Sequence, residues 1–439
     1  MAMERRDEVL HDVEDKRIEF IQLWFTDLLG TLKSVEIPAA RLEGALANGI
    51  GFDGSSVHGF ARIDESDMVA MPDPETFAIL PWENVARLFC DIMEPDGKPY
   101  KGDPRWALKR AQGRAREHGL HLMTGPELEY FYLCSDTEAE TFDSGGYFDL
   151  IPPDRGSEIR RETVGVLGRM GIRIEAAHHE VAHSQQEIDL CFGEALQIAD
   201  NLMTCRYVIK EVARRNGIHA TFMPKPLFAQ NGSGMHIHQS LFDDDGRNAF
   251  FDAEDPLHLS GIARGYTAGL MRHAQELSGV CAQWVNSYKR LVSGYEAPVY
   301  ITWSHRNRSN MIRVPMYRPG HEEASRIEFR APDPACNPYL AFAVLLHAGL
   351  EGIENGYPLC EPMERDVYAM SDTEREGLGI QALPGSLNEA IASMTSSDLV
   401  RRALGDHVFE KFIENKRIEW DEYRSQVHRY EIERYLSVL

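Results

Sequence analysis

Two glutamates stand two residues apart in an otherwise apolar stretch, GPELEYFYL at 125–133. On an extended strand, Glu127 and Glu129 point to the same face. Leu128, Tyr130, Phe131 and Leu133 argue against free solvation on both faces. Two carboxylates held side by side repel unless a proton or a cation lies between them. The pattern recurs along the chain. HHE at 178–180 is followed by QQEIDL at 185–190; NGSGMHIHQS at 231–240 sets His236 and His238 on either side of Ile237; and Arg326, Glu328 and Arg330 alternate with Ile327 and Phe329. One such pair alone reads as a solvated face or a hydrogen-bonded histidine. Repetition on strand after strand reads as a sheet curved around a polyvalent metal site. Oxygen donors with an occasional histidine favour Mg²⁺ or Mn²⁺ over zinc.

A cluster of arginines accompanies these acids. Arg306, Arg308, Arg313, Arg318, Arg326 and Arg330 crowd one stretch, and Arg290 precedes them in NSYKRL. A salt-bridged surface is the bland account. The chemical account is recognition of phosphate or carboxylate by guanidinium forks. Metal-binding carboxylates beside arginines are the parts that phosphoryl transfer needs. GxxxxGK[ST] does not occur, which excludes a P-loop reading by motif.

Composition narrows the partners. The formal net charge is −23, from 46 Lys+Arg against 69 Asp+Glu, which argues against nucleic acid or an anionic membrane. The opening 17 residues are mostly charged, and no run of about 18 apolar residues occurs, so neither a secretory signal nor a spanning helix is expected. Cys90, Cys134, Cys191, Cys205, Cys281, Cys336 and Cys360 are widely spaced with no CxxC, as in reduced, mostly buried thiols. A cytoplasmic protein that handles small molecules is expected.

At 439 residues, and roughly 150 per domain, two or three domains are expected. Residues 18–24 and 31–37 read as a hairpin, 39–47 as a helix, 49–59 as a Gly-rich loop and 85–91 as a strand. The stretch 99–104 is a plausible boundary. Beyond it, helices are expected at 103–119, 157–171, 194–216, 257–277, 337–355, 386–394 and 398–423. Strands are expected at 121–133, 172–190 (a pair), 220–228 and 236–242. Strands in the middle with helices packed outside give an α+β class.

Ordered motifs over nearly the whole chain resemble glutamine synthetase of the prokaryotic type I, short alpha-like subtype. They are FDGSS (52–56), GPELE (125–129), HHE (178–180), KP (225–226), NGSGMH (231–236), NSYKRL (286–291), GYEAP (294–298), NRS (307–309), RIE (326–328) and NPYL (337–340). The resemblance implies ATP-dependent joining of glutamate and ammonium through γ-glutamyl phosphate. It implies an N-terminal β-grasp domain at 1–103 and a larger catalytic domain at 104–439, with a curved antiparallel sheet surrounded by helices. It also implies a dodecamer of two hexameric rings, with Asp53 entering the site of an adjacent chain.

Residue by residue, Glu129, Glu180 and Glu187 match one divalent-metal site, and Glu127, His236 and Glu328 a second. Glu129, Asn231, Gly232, His236, Arg290, Glu296 and Arg330 match substrate-binding positions. His238, Ser240, Arg308, Arg313 and Arg326 match ATP or phosphate contacts. Asp53, Glu296 and Arg308 match catalytic positions, Asp53 and Glu296 handling ammonium and Glu296 lying on a mobile flap.

The chain departs from the family where HHEVAPGQHEID reads HHEVAHSQQEID. His183 and Ser184 replace Pro-Gly, and Gln186 replaces His. Metal-ligand spacing is kept, whereas a Ser in place of Gly bears on the loop. A Gln at 186 also occurs in relatives that resemble γ-glutamyl-amine ligases (polyamine or ethanolamine), the alternative activity. Asp53, Ser56, Tyr295 and Glu296 are the residue types expected around an ammonium pocket. Tyr368 lies near a position that other subtypes adenylylate and is expected to be unmodified. Arg62 matches a position tied to glutamine feedback, so Arg62→Ala is expected to weaken glutamine inhibition.

Overall fold

The computed structural model describes residues 2–57, 67–82, 84–305, 307 and 310–439. Arg62, Arg306 and Arg308 lie outside the described residues, as does the side chain of Ser56.

A helix that the sequence reading did not anticipate, α1 (Ala2–Asp15), precedes a hairpin of β1 (Phe20–Thr26) and β2 (Leu32–Pro38). The Asp27 carboxylate closes the turn by accepting from the backbone N–H of Leu29 and Thr31 at 3.0 and 2.8 Å. The expected helix at 39–47 begins as a 3₁₀ turn, Ala39–Arg41, and continues as α2 (Leu42–Asn48). The expected loop at 49–59 is corrected at its start: β3 (Ile50–Asp53) pairs antiparallel with β4 (Asp67–Pro72). The sequence showed no partner there, because β4 alternates only weakly between apolar and polar residues. The unit closes with β5 (Ala78–Leu80) and β6 (Val85–Met93). Strand order is β2-β1-β6-β4-β3 with β5 also on β6. The central β1/β6 pair is parallel, as expected for the mixed sheet of a β-grasp domain.

The larger unit starts at α3 (Pro104–Glu117), whose first turn is capped by Asp103. Next come β7 (Leu120–Leu133), α4 (Ser157–Arg169), β8 (Ile174–His179), β9 (Gln185–Leu190), β10 (Gly193–Glu194), α5 (Ala195–Arg215) and β11 (His219–Thr221). The strand expected at 220–228 is therefore reduced to three residues on β7; beyond it the chain leaves the sheet toward the cleft. Then follow β12 (Met235–Asp243), α6 (Gly261–Arg272), α7 (Ala274–Cys281), α8 (Ser287–Arg290), β13 (Trp303–Ser304), β14 (Ile312–Arg313) and β15 (Ile327–Phe329). The C-terminal part is helical: α9 (Pro338–Glu354), α10 (Asp372–Gly377), α11 (Leu387–Thr395), α12 (Asp398–Leu404), α13 (Asp406–Arg424) and α14 (Arg429–Tyr435).

Two expected long helices are each two. The helix read at 257–277 breaks at His273 between α6 and α7. The one read at 398–423 breaks at Gly405, whose φ of 80° no helix interior accepts.

The second sheet runs β13-β14-β15-β12-β7-β9-β8, with β10 and β11 also on β7. It is antiparallel except for the parallel β13/β14 pair, so the expected antiparallel sheet is mixed at that edge. One face packs on α3, α5 and α9 through Leu128, Ile188, Ile237, Ile327 and Phe329, all buried. The other face carries the polar residues. α9 is apolar all round and sheathed by other helices.

Arg105, on the first turn of α3, ties the two sheets together. Its guanidinium reaches Asp73 and Asp91 of the N-terminal unit and Asp200 on α5, at 2.8, 2.6 and 2.9 Å. Among the described residues, no helix is long and apolar enough to cross a membrane.

Candidate active site

Strand register alone assembles the centre of the site. On β7, Glu127 faces His236 of β12 on one side and Asp189 of β9 on the other. Two residues on, Glu129 faces Glu187. β15 lies along β12 and sets Glu328 opposite His238, while β14 sets Arg313 opposite Glu328. Alternation directs all of these to one face, because the residues between them are the buried apolar ones.

They line a cleft of about 980 Å³. Of the expected residues, Glu127, Glu129, Glu180, Glu187, Asn231, Gly232, His236, Arg290, Glu296, Arg313, Glu328 and Arg330 line it. His238, Ser240 and Arg326 lie outside this lining. His238 Nε2 sits 2.8 Å from Glu127 Oε1, Arg326 Nε donates to His238 Nδ1 at 3.2 Å, and Ser240 is buried farther along β12. Asp53 is exposed at the end of β3, on the edge of the other sheet, where its carboxylate accepts from Ser55 N at 2.8 Å.

Glu127, His236 and Glu328 each place a donor atom within 4.8 Å of the others. His236 Nδ1 lies 2.9 Å from Glu127 Oε2 and 3.7 Å from Glu328 Oε1. Burial and the neighbouring Arg330 push the His236 imidazole down to about 4, which leaves a nitrogen lone pair available. Burial would raise Glu127, but hydrogen bonds from His236 and His238 outweigh it and hold the carboxyl well below its ordinary range. Burial is outweighed at Glu328 as well: Arg330, with Arg313 also bonded to the same carboxylate, holds it down at about 2.

The acids toward β9 behave in the opposite way. Burial and the Glu180 carboxylate push Glu129 up to about 8. Burial and the charge of Glu129 push Glu187 well up. Glu180 is raised, chiefly by burial. Asp189 is raised to about 6, chiefly by burial, and its Oδ1 is buried with no hydrogen-bond partner among the described residues. Here a three-donor group within 4.8 Å is His178, Glu187 and Asp189, and Glu187 also belongs to the expected set of Glu129, Glu180 and Glu187, all of which line the same cleft. Crowded carboxylates that repel one another, with an orphan oxygen among them, are the donor chemistry of a hard divalent cation. The residues present fit such a group.

Around these acids the chain is held tightly. Gln185 donates to Glu129 Oε2 at 2.8 Å and to the Gly232 carbonyl at 3.1 Å, and Gly234 N donates to the same glutamate oxygen at 2.9 Å. Gly232 passes so close to the Pro224 carbonyl that a Cβ would sit 2.3 Å from it. Arg290 donates to the carbonyls of Ala331 and Arg330 at 2.8 and 3.0 Å.

The cleft also includes residues that the sequence reading did not name as ligands or catalytic groups: Tyr147, His178, Gln185, Asp189, Asn307, Glu364, Asp366 and Tyr368. For Asp189 and His178 the signal was present, since both continue the alternation of neighbouring acids. For Tyr147, Glu364, Asp366 and Tyr368 no local pattern exists; loops bring them in.

The substituted loop is legible in this geometry. Ser184 keeps a left-handed backbone, φ 64°. Gln186 is buried and its side-chain carbonyl accepts from Arg160, which also pairs with Asp154 at 2.7 Å.

Known proteins place this geometry among relatives. Residues 101–435 match the family described as glutamine synthetase, catalytic domain, and residues 17–95 that described as glutamine synthetase, beta-Grasp domain. The glutamine synthetase of Mycolicibacterium smegmatis is 51% identical over 447 residues, covering 99% of this chain and 100% of that protein. That of Methanosarcina mazei is 51% identical over 442 residues, covering 99% and 98%. Among solved structures, a GmaS/ADP complex superposes with a TM-score of 0.91 at 33% identity, covering 98% of this chain and 99% of that one.

Proposed function

This chain belongs to the glutamine synthetase family, ATP-dependent ligases of glutamate and ammonia, and from that premise we propose how its residues divide the reaction. The observation that carries the assignment is the meeting of Glu127, His236 and Glu328 on one sheet face, with Arg313 and Arg330 both bonded to Glu328.

A carboxylate is a poor electrophile, so the γ-carboxylate of glutamate first attacks the γ-phosphorus of ATP and ADP leaves. Ammonia then attacks the carbonyl carbon of γ-glutamyl phosphate, and phosphate leaves. We assign Asn231, Gly232, His236, Arg290 and Arg330, with Glu129 and Glu296, to holding glutamate. His238, Ser240, Arg308, Arg313 and Arg326 are assigned to ATP and its phosphates. Glu127, His236 and Glu328 would hold one Mg²⁺ or Mn²⁺, and Glu129, Glu180 and Glu187 another. Bound there, the cations would offset phosphate charge and orient the phosphoryl group.

Ammonium is not a nucleophile until it loses a proton, and the carboxylates of Glu296 and Asp53 are the assigned acceptors. Glu296 is exposed at the rim of the cleft, where Asn231 Nδ2 donates to its Oε2 at 3.3 Å. Asp53 lies on the other sheet, which supports its acting in the site of a neighbouring copy. We accordingly propose a cytoplasmic homo-oligomer, a dodecamer of two six-membered rings with sites between subunits. Its domains would be residues 1–103 and 104–439.

The deciding experiment measures phosphate release from ATP with glutamate, Mg²⁺ and either ammonium or a panel of amines, with products identified by mass. Glutamine formed rapidly with ammonium, and little turnover with polyamines or ethanolamine, is the expected result. Strong turnover only with a larger amine would keep the acyl-phosphate route and overturn ammonium as the nucleophile.

A further inference from the structure

The segment 294–297 crosses the rim of the cleft in a backbone form that it would not hold alone. Gly294 has φ 92°, and Glu296, which has a Cβ, has φ 59°. A residue with a Cβ is sterically disfavoured there, so its surroundings must supply the restraint.

Two contacts bracket Glu296. On one side, the Lys225 ammonium lies 3.7 Å from the centroid of the Tyr295 ring, a close cation–π contact. On the other, the Tyr368 hydroxyl donates to the Ala297 carbonyl. Both posts are themselves anchored. The Asn286 side chain accepts from Lys225 N at 2.7 Å and donates to Lys225 O at 3.1 Å. Tyr368 packs on Tyr300 with ring centroids 5.7 Å apart, and Arg375 caps Tyr300 while donating to Val367 O at 3.0 Å.

We infer that Lys225 and Tyr368 are positioning residues that clamp the segment 294–297 from both ends and so hold Glu296 over the cleft. The inference rests on the glutamine synthetase reading above, in which Glu296 receives the ammonium proton. In that same reading the segment also keeps water from the acyl phosphate, which gives the clamp a second readout. When the clamp opens, water enters and its oxygen attacks the carbonyl carbon of γ-glutamyl phosphate. The C–O bond to phosphate breaks, phosphate leaves, glutamate is regenerated and the water's protons go to solvent. ATP is then spent without an amide being made.

Two readouts on the full-length protein test this. Hydrogen–deuterium exchange over 292–299 reads the clamp itself, and the ratio of phosphate released to glutamine formed reads its effect. K225M, Y368F and Y295L are expected to speed exchange in that segment alone. They are also expected to raise the phosphate-to-glutamine ratio about three-fold or more, with the glutamate KM within about two-fold of wild type. Y295F keeps the ring face and is expected to sit closer to wild type than Y295L. Unchanged exchange in K225M and Y368F overturns the clamp, whatever the activity. Faster exchange with an unchanged ratio overturns the positioning role. A wild-type protein that releases no phosphate with glutamate strikes the functional reading instead, and the exchange data still decide the clamp.

Discussion

Ser184 and Asp143 are bonded to each other three times. Ser184 N donates to Asp143 Oδ1 at 2.8 Å, Asp143 N donates to Ser184 Oγ at 2.8 Å, and Ser184 Oγ donates to Asp143 O at 3.2 Å. The hydroxyl that replaces a glycine hydrogen thus anchors a left-handed residue beside Glu180. We expect S184A to lower stability by about 1–3 kcal/mol, since it keeps the strain and leaves buried groups unpaired. S184G should cost less, because relaxing φ returns about 1 kcal/mol. Urea midpoints of the two variants against wild type check this, and equal losses would show that backbone strain plays no part.

Arg105 carries a second expectation. Its side chain is 4% exposed and answers three carboxylates, of which Asp200 is equally buried. R105A leaves those charges without their counter-ion and is expected to cost about 3–5 kcal/mol. R105K should recover part of the loss, because one ammonium cannot serve three carboxylates in fork geometry. Denaturation midpoints read both variants.

Glu129 makes stability depend on pH and on metal together. Burial and Glu180 hold its proton up to about 8 in the folded chain, whereas an unfolded glutamate releases it near about 4.3. The folded state therefore binds the extra proton between those values. Its stabilising effect is complete below the unfolded pKa and fades as pH rises through about 8. In EDTA, the melting temperature should fall from about pH 5 to about pH 8; Mn²⁺ or E129Q should flatten that slope. E129A should abolish turnover while leaving the far-UV circular dichroism unchanged, and substantial retained activity would refute the ligand assignment.

Tyr368 is expected to carry no nucleotide. Its hydroxyl is committed to Ala297 O, and burial pushes the phenol up to about 12. The intact mass of protein isolated from its native cells should match the unmodified chain; a nucleotide adduct on Tyr368 would overturn this.

The sheet face was legible because strand chemistry is local. Glu127 with Glu129, His236 with His238, and Glu328 between Arg326 and Arg330 each announce their direction by the apolar residue between them. What the alternation could not say is which strands adjoin. Thus Glu180 and Glu129 could be named as ligands by resemblance, while the close approach of His178, Glu187 and Asp189 on that side depends on the β8/β9 register. The helix breaks at His273 and Gly405 were hidden for a different reason. Apolar periodicity continues across both, and tertiary packing decides where each axis turns. Loop residues such as Tyr147 and Asp366 carry no periodicity, so only the folded chain reveals that they reach the cleft.

The strand β7 pairs with β9, β10, β11 and β12, and β15 reaches it through β12. Glu127 is therefore made early in synthesis, while Glu328 leaves the ribosome after most of the chain. Until it does, the N-terminal acids have neither Arg313 nor Arg330 near them, and the half-built sheet exposes the β12 edge that β15 will cover. The nascent protein carries that open edge while the residues between β12 and β15 are made, a period in which a chaperone has something to hold.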